Sequence, residues 1–125
     1  MDEINHNHKT FIPTTGGDEF YTDERCYISE LLNDHSHPAH SIARARVEPG
    51  VTTVWHRVKP IEIYIIEKGV GRADIGNEQF NVGPGDSIVI PPMVRQRITN
   101  TGDQDLIFLC LCSPRFTPAT YESLE

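Results

Sequence analysis

At 125 residues, with 38% apolar and 23% charged content, the chain has the size and composition of one globular domain, able to bury roughly two-thirds of the surface its unfolded form exposes. Its 18 acidic against 11 basic residues give a net charge of −7, a field that repels phosphate backbones and anionic lipid, so neither nucleic acid nor membrane is expected as a partner. No run of about twenty apolar residues is available to span a bilayer, and Met1-Asp-Glu-Ile-Asn-His6 lacks the basic and apolar regions of a signal peptide, so a cytoplasmic location is expected.

In chain order, an N-terminal arm over residues 1–24 carries Pro13 and Gly16-Gly17 as punctuation. Arg25 to Leu32 reads as an early strand, and Asn33-Asp-His-Ser-His-Pro-Ala-His40 as a polar, turn-rich loop. Short strands follow at Ser41 to Val47, Thr52 to Val58, Glu62 to Lys68, Val70 to Ile75, Gln79 to Val82, Ser87 to Ile90, Gln96 to Thr99 and Leu106 to Cys112. Glu48-Pro-Gly50, Lys68-Gly69, Ile75-Gly-Asn77 and Val82-Gly-Pro-Gly-Asp86 supply the turns. Such spacing predicts an all-β sandwich or barrel over residues 25–112, with a tail over 113–125 in which Pro118 to Leu124 is the only helical candidate.

Two strands are apolar on both faces, which a half-exposed sheet does not require. Ile61, Ile63 and Ile65 share one face of their strand, while Glu62, Tyr64 and Ile66 share the other; Leu106 to Leu111 is apolar throughout. If Glu62 points inward, the three isoleucines point outward and need a cover. Either a second copy of the chain or its own terminal segments would serve, and a homodimer is the expectation. The odd count of three cysteines argues against a disulfide framework. Cys110 and Cys112, two apart on a strand, hold their Cβ atoms roughly 6–7 Å apart, too far to bridge.

One stretch concentrates the chemistry: Gly50, His56, Val58, Glu62 and Gly69, followed by Gly85, Pro91, Met93, Gln96 and Asn100. The spacing resembles the two motifs of the cupin superfamily, in which a glycine, a His-x-His pair, a glutamate and a glycine are followed by a glycine, a proline, a glycine, a histidine and an asparagine. Here Val58 stands at the second histidine, Met93 at a glycine and Gln96 at the last histidine. The resemblance implies a cupin-type double-stranded β-helix, a jelly-roll barrel, and a divalent metal inside it. Carried over position by position, His56 and Glu62 are ligands, Gln96 offers an amide oxygen, and Val58 offers nothing. Zinc, nickel, iron and manganese are the candidate ions, since imidazole and oxygen donors suit them differently and no thiolate enforces a choice.

Tyr64, two residues from Glu62 on the same strand face, is a candidate hydrogen-bond donor or proton relay, and Glu62 a candidate proton handler. The resemblance supports an enzyme on a small oxygen-rich metabolite, with non-redox isomerase, cyclase or lyase chemistry favoured because two of the three expected histidines are missing. The alternative is a metal-free module that binds or senses a small ligand. Arg44 and Arg46 face either solvent or the barrel mouth, whereas an inward Gln96 turns Arg95 and Arg97 outward. His35, His37 and His40 sit in loop-forming sequence and are not taken as a second site. The three cysteines are read as buried thiols.

Overall fold

The computed structural model describes residues 9–13 and 18–125; the Gly16-Gly17 turn and the segment Met1 to His6 fall outside them. Among the described residues eleven strands form two antiparallel sheets. They are β1 (Phe20–Tyr21), β2 (Tyr27–Leu32), β3 (Ser41–Val47), β4 (His56–Val58), β5 (Ile61–Lys68), β6 (Gly71–Ile75), β7 (Glu78–Val82), β8 (Ser87–Ile90), β9 (Gln96–Asn100), β10 (Leu106–Ser113) and β11 (Tyr121–Ser123). One sheet runs β1-β2-β3-β10-β5-β8, the other β11-β4-β9-β6-β7, and together they make the double-stranded β-helix that the motif spacing implies. Among the described residues no helix is long and apolar enough to cross a membrane.

Inward alternation builds the core. Ala45 and Val47 of β3, Ile66 of β5, Ile88 and Ile90 of β8, Ile98 of β9, and Leu106 and Phe108 of β10 interleave between the sheets with almost no exposure. The β-branched and aromatic side chains among them fit pleated surfaces, and full burial of each Val, Ile, Leu or Phe is worth about 1.5–3 kcal/mol before entropy is counted. Motif residues outside the site hold this frame. The Asn100 amide donates to the carbonyls of Val47 and Gln104 while its oxygen accepts from the Gly102 amide, closing the β9–β10 turn onto β3. Gly69, at φ +83°, leaves a gap that a Cβ would close to 2.6 Å from the Asp105 carbonyl oxygen.

Three sequence expectations shift. The strand expected from Thr52 shrinks to His56–Val58, with a lone bridge between Thr52 and Thr99 before it; Thr53 and Val54 instead donate their amides to Ile98 and Glu24. The helical candidate at Pro118 to Leu124 is a single 3-10 turn, Pro118–Thr120, followed by β11, which pairs with β4. A strand ladder along β4 satisfies more backbone there than an isolated turn of helix would. Finally, β1 adds a short edge strand ahead of β2.

Candidate functional site

The site is assembled by register. Across the β4–β9 pairing His56 lies opposite Gln96, and β5 of the facing sheet brings Glu62 and Tyr64 toward both. All four are buried, Gln96 completely. His56 Nδ1 lies 2.8 Å from the Val54 carbonyl oxygen, a contact that requires Nδ1 to carry the hydrogen. In the neutral ring the Nε2 lone pair then faces inward. Gln96 Nε2 occupies that direction, 2.7 Å from His56 Nε2, and donates to Glu62 Oε1 at 2.5 Å; Tyr64 OH lies 3.1 Å from the same nitrogen. An amide nitrogen has two hydrogens, and the two shorter contacts take them. Gln96 Oε1 is left buried with no partner.

The other Glu62 oxygen receives the Cys112 thiol at 3.5 Å, and Glu24 Oε2 reaches within 3.9 Å of His56 Nε2. Burial sets the protonation equilibria. It pushes Glu62 above the usual carboxylate range, against the lowering pull of Gln96 and His56, and raises Glu24 to about 7. It also depresses His56, although the Val54 carbonyl and the Glu62 charge oppose the shift. Tyr64 and Cys110 rise well above their ordinary values, chiefly through desolvation.

His56, Glu62 and Tyr64 form the floor of a cavity of about 180 Å3 that opens between β2, β3, β10 and the C-terminal segment. Gln96 stands behind this floor and ties its members together. Phe20, Phe108, Phe116 and Tyr121 give the walls aromatic surface, with the Tyr121 ring stacked on His56 at 5.3 Å between centroids.

The structure thus brings together His56, Glu62, Tyr64 and Gln96, with Val58 beside them and 3% exposed. Arg44 pairs with Glu67, and Arg46 with Glu19 and Asp105; neither lines the cavity. Arg95 and Arg97 turn outward, their guanidiniums over the Trp55 ring at 4.6 and 4.2 Å from its centroid. The loop histidines lie apart, His37 and His40 beside a separate hollow with Lys9 and Leu32. Cys26, Cys110 and Cys112 are free thiols, and all three line the main cavity.

Sequence reasoning missed Glu24, Glu30 and Tyr121. Glu24 sits in the β1–β2 turn, where Thr22-Asp-Glu-Arg25 looks like any polar loop, and Tyr121 was hidden in a segment read as helical. Glu30 carried a signal: it alternates with Ile28 and Leu32 along β2, and all three line the cavity.

The donor set does not match a divalent ion as it is arranged here. It offers one imidazole lone pair and one carboxylate, Val58 fills the third position with methyl groups, and Gln96 presents N–H rather than oxygen. Among the described residues no cluster of three His, Cys, Asp or Glu side chains has the geometry to hold a metal.

Comparison with known proteins places this geometry. The model of the cupin domain matches residues 43–112. The uncharacterized protein MJ1618 of Methanocaldococcus jannaschii is 35% identical over 109 residues, 85% of this chain and 87% of that protein. A Streptomyces PAC13 variant solved with uridine superposes with a TM-score of 0.75 at 17% identity, over 94% of this chain and 92% of the other. A predicted oxalate decarboxylase from Thermotoga maritima gives a TM-score of 0.66 at 26% identity, over 71% and 80%.

Proposed function

The chain belongs to the cupin domain family, and from that premise we propose that it binds a small metabolite in the barrel mouth without a resident metal. One observation carries this reading: the Gln96 amide nitrogen lies between His56 Nε2 and Glu62 Oε1, where it satisfies both acceptors. A similar barrel holding uridine in the PAC13 structure supports small-molecule binding in this fold.

Where the ligand reacts, the chemistry open to this floor is proton transfer. His56 stays neutral, and its Nε2 can take a proton once the Gln96 N–H gives way, while burial biases Glu62 toward the acid form that can give one. Such a pair, with pKa values moved toward each other by environment, suits isomerisation, cyclisation or elimination. Tyr64, whose hydroxyl stays protonated, would hold an oxygen of the ligand in place.

A second reading rests on the orphaned Gln96 Oε1. Half a turn of the amide exchanges N–H for oxygen and yields a three-donor set of His56, Glu62 and Gln96 for zinc, nickel, iron or manganese. Elemental analysis separates the two. Chelator-stripped wild type offered each ion and then desalted should retain none, whereas Val58→His, which restores an imidazole beside His56, should retain about one ion per chain. Stoichiometric metal in the wild type, lost in His56→Ala, would establish the second reading. A thermal-shift screen of neutral, cationic and anionic metabolites on stripped protein tests binding itself: hits should vanish in Ala43→Phe, which fills the cavity from β3, and hits that survive it would place the ligand elsewhere.

A further inference from the structure

We infer that the cavity selects a small molecule that couples an apolar or aromatic body to a protonated nitrogen, and that it turns away carboxylates and phosphates. The inference rests on the reading that the barrel binds a small metabolite, and it adds the chemical class of that metabolite.

The charged groups of the wall all have one sign. Glu62 on the floor, Glu24 beside His56 and Glu30 on the rim line the cavity, and among the described residues no lysine or arginine does. Among the described residues none of the three carboxylates pairs with a lysine or arginine; the sole ionic neighbour is His56, 3.9 Å from Glu24. Nearby guanidiniums are committed elsewhere. Arg25 pairs with Glu125, Arg44 with Glu67, Arg46 with Glu19 and Asp105, and Arg115 donates to the Asn33 side-chain oxygen. An anion entering the cavity would therefore meet carboxyl groups and no cationic side chain, in a partly desolvated space where repulsion from those that are ionised is weakly screened.

Hydrogen-bond capacity points the same way. The carboxylates of the wall accept when ionised, and the one lone pair of His56 Nε2 is already taken by the Gln96 amide. Of the wall's neutral polar groups, Thr22 donates to the Cys26 carbonyl and Asn33 to the Phe116 carbonyl, while the Ser41 and Thr53 hydroxyls accept the Phe116 and Ile98 amides, which occupies their lone pairs and not their hydrogens. The strongest polar partners the wall offers are therefore the carboxyl oxygens of Glu24 and Glu30, which suit a ligand with N–H groups of its own, while the Tyr64 hydroxyl remains for an oxygen. The deepest acceptors already show the preference, because the group they hold is a nitrogen donor, Gln96 Nε2.

Shape supplies the rest. Phe20, Phe108, Phe116 and Tyr121 face the same space as the carboxylates, and aromatic faces attract cations as well as apolar surface. At about 180 Å3 the cavity is of the size that accommodates a benzene ring, for which roughly 150 Å3 suffices.

Benzylamine, benzyl alcohol and benzoate share one ring and differ in charge, so calorimetric titration of chelator-stripped protein at neutral pH reads the preference directly. Benzylamine should bind at least about tenfold more tightly than benzyl alcohol, and benzoate should give no heat. The double variant Glu24→Gln with Glu30→Gln should erase the amine preference while leaving the alcohol's affinity in place; its melting curve checks folding, and Glu30→Gln alone, on the rim, should already weaken the preference. Benzoate binding as well as benzylamine, or a preference that survives in the double variant, overturns the inference and leaves the small-molecule reading intact. Silence from all three probes also overturns it, and the metabolite screen then decides the broader reading.

Discussion

Replacing Glu24 by glutamine should remove a pH dependence that the wild-type fold carries. Burial raises the Glu24 carboxyl from 4.5 to about 7, so the unfolded chain releases this proton at lower pH than the folded one. Below 4.5 both states hold it and the group is neutral to stability. Between 4.5 and 7 the unfolded state binds fewer protons, and stability falls as pH rises. Above 7 both are ionised and the penalty is complete. At about 1.4 kcal/mol per unit, the full shift corresponds to roughly 3.4 kcal/mol; with 27% of the side chain exposed, about 2–3 kcal/mol is the expected size. His56 acts in the opposite sense, since its depressed value makes the fold lose stability as pH drops below 6.5, and Glu62 acts in the same sense as Glu24.

The difference between variant and wild type reads Glu24 together with a smaller contribution of the same sign from Glu62, which the Glu24 charge helps to raise. Urea unfolding followed by the fluorescence of Trp55, the single tryptophan, at fixed protein concentration from pH 4.5 to 8 gives that difference. Glu24→Gln should gain about 2–3 kcal/mol over wild type across pH 4.5–7 and hold the gain above. Parallel curves, with a difference that moves by less than about 0.5 kcal/mol over the window, would refute the claim that this carboxylate is held without a counter-charge.

Two further outcomes follow from the fold. Met93 adopts φ +64° where the resembling motif has glycine, so Met93→Gly should raise stability by about 0.5 kcal/mol, the relief of backbone strain being partly offset by a freer unfolded chain, while the β-branched Met93→Ile should lose more than about 1 kcal/mol; denaturation midpoints in the order Ile above Gly would contradict this. We further propose that the outer face of the six-stranded sheet is a homodimer contact: Ile42, Leu111, Ile63 and Val89 stand in one cross-strand row, and Val89 is 63% exposed. Light scattering at micromolar concentration should give a dimer mass for wild type and a monomer mass for Ile63→Lys, which sets a charge in an apolar contact; a monomeric wild type would sink the proposal.

What the sequence displayed was whatever alternates or recurs at fixed spacing. The strands β3 and β8 match their expected bounds because apolar positions repeat every second residue between strong turn formers. His56, Glu62, Tyr64 and Gln96 were legible because their spacing in two motifs fixes which strand faces look inward. Asn100, recognised as a motif position, has its meaning only in three dimensions, as the clasp between β3 and the β9–β10 turn. The beginning and end of the domain resisted reading for a common reason. Both β1 and β11 are two or three residues long, too short for a period to show, and they exist because a partner strand offers unsatisfied backbone groups.

Those same short elements decide the character of the cavity. Glu24 arrives on the turn after β1 and Tyr121 on β11, so the groups that surround His56 come from segments whose local sequence says nothing about a site. The motif positions alone suggest a depleted metal centre, with one imidazole and one carboxylate left and two imidazoles replaced by Val58 and Gln96. With the terminal elements folded over it, the space above His56 is an aromatic-walled cleft carrying three carboxylates, and Gln96, absent as a histidine, has become the donor that its acceptors require. On the proposed reading the Gln96 N–H stands between His56 and Glu62 where the resembling motif would hold a cation, and the carboxyl groups and rings brought by the terminal segments select what enters above them.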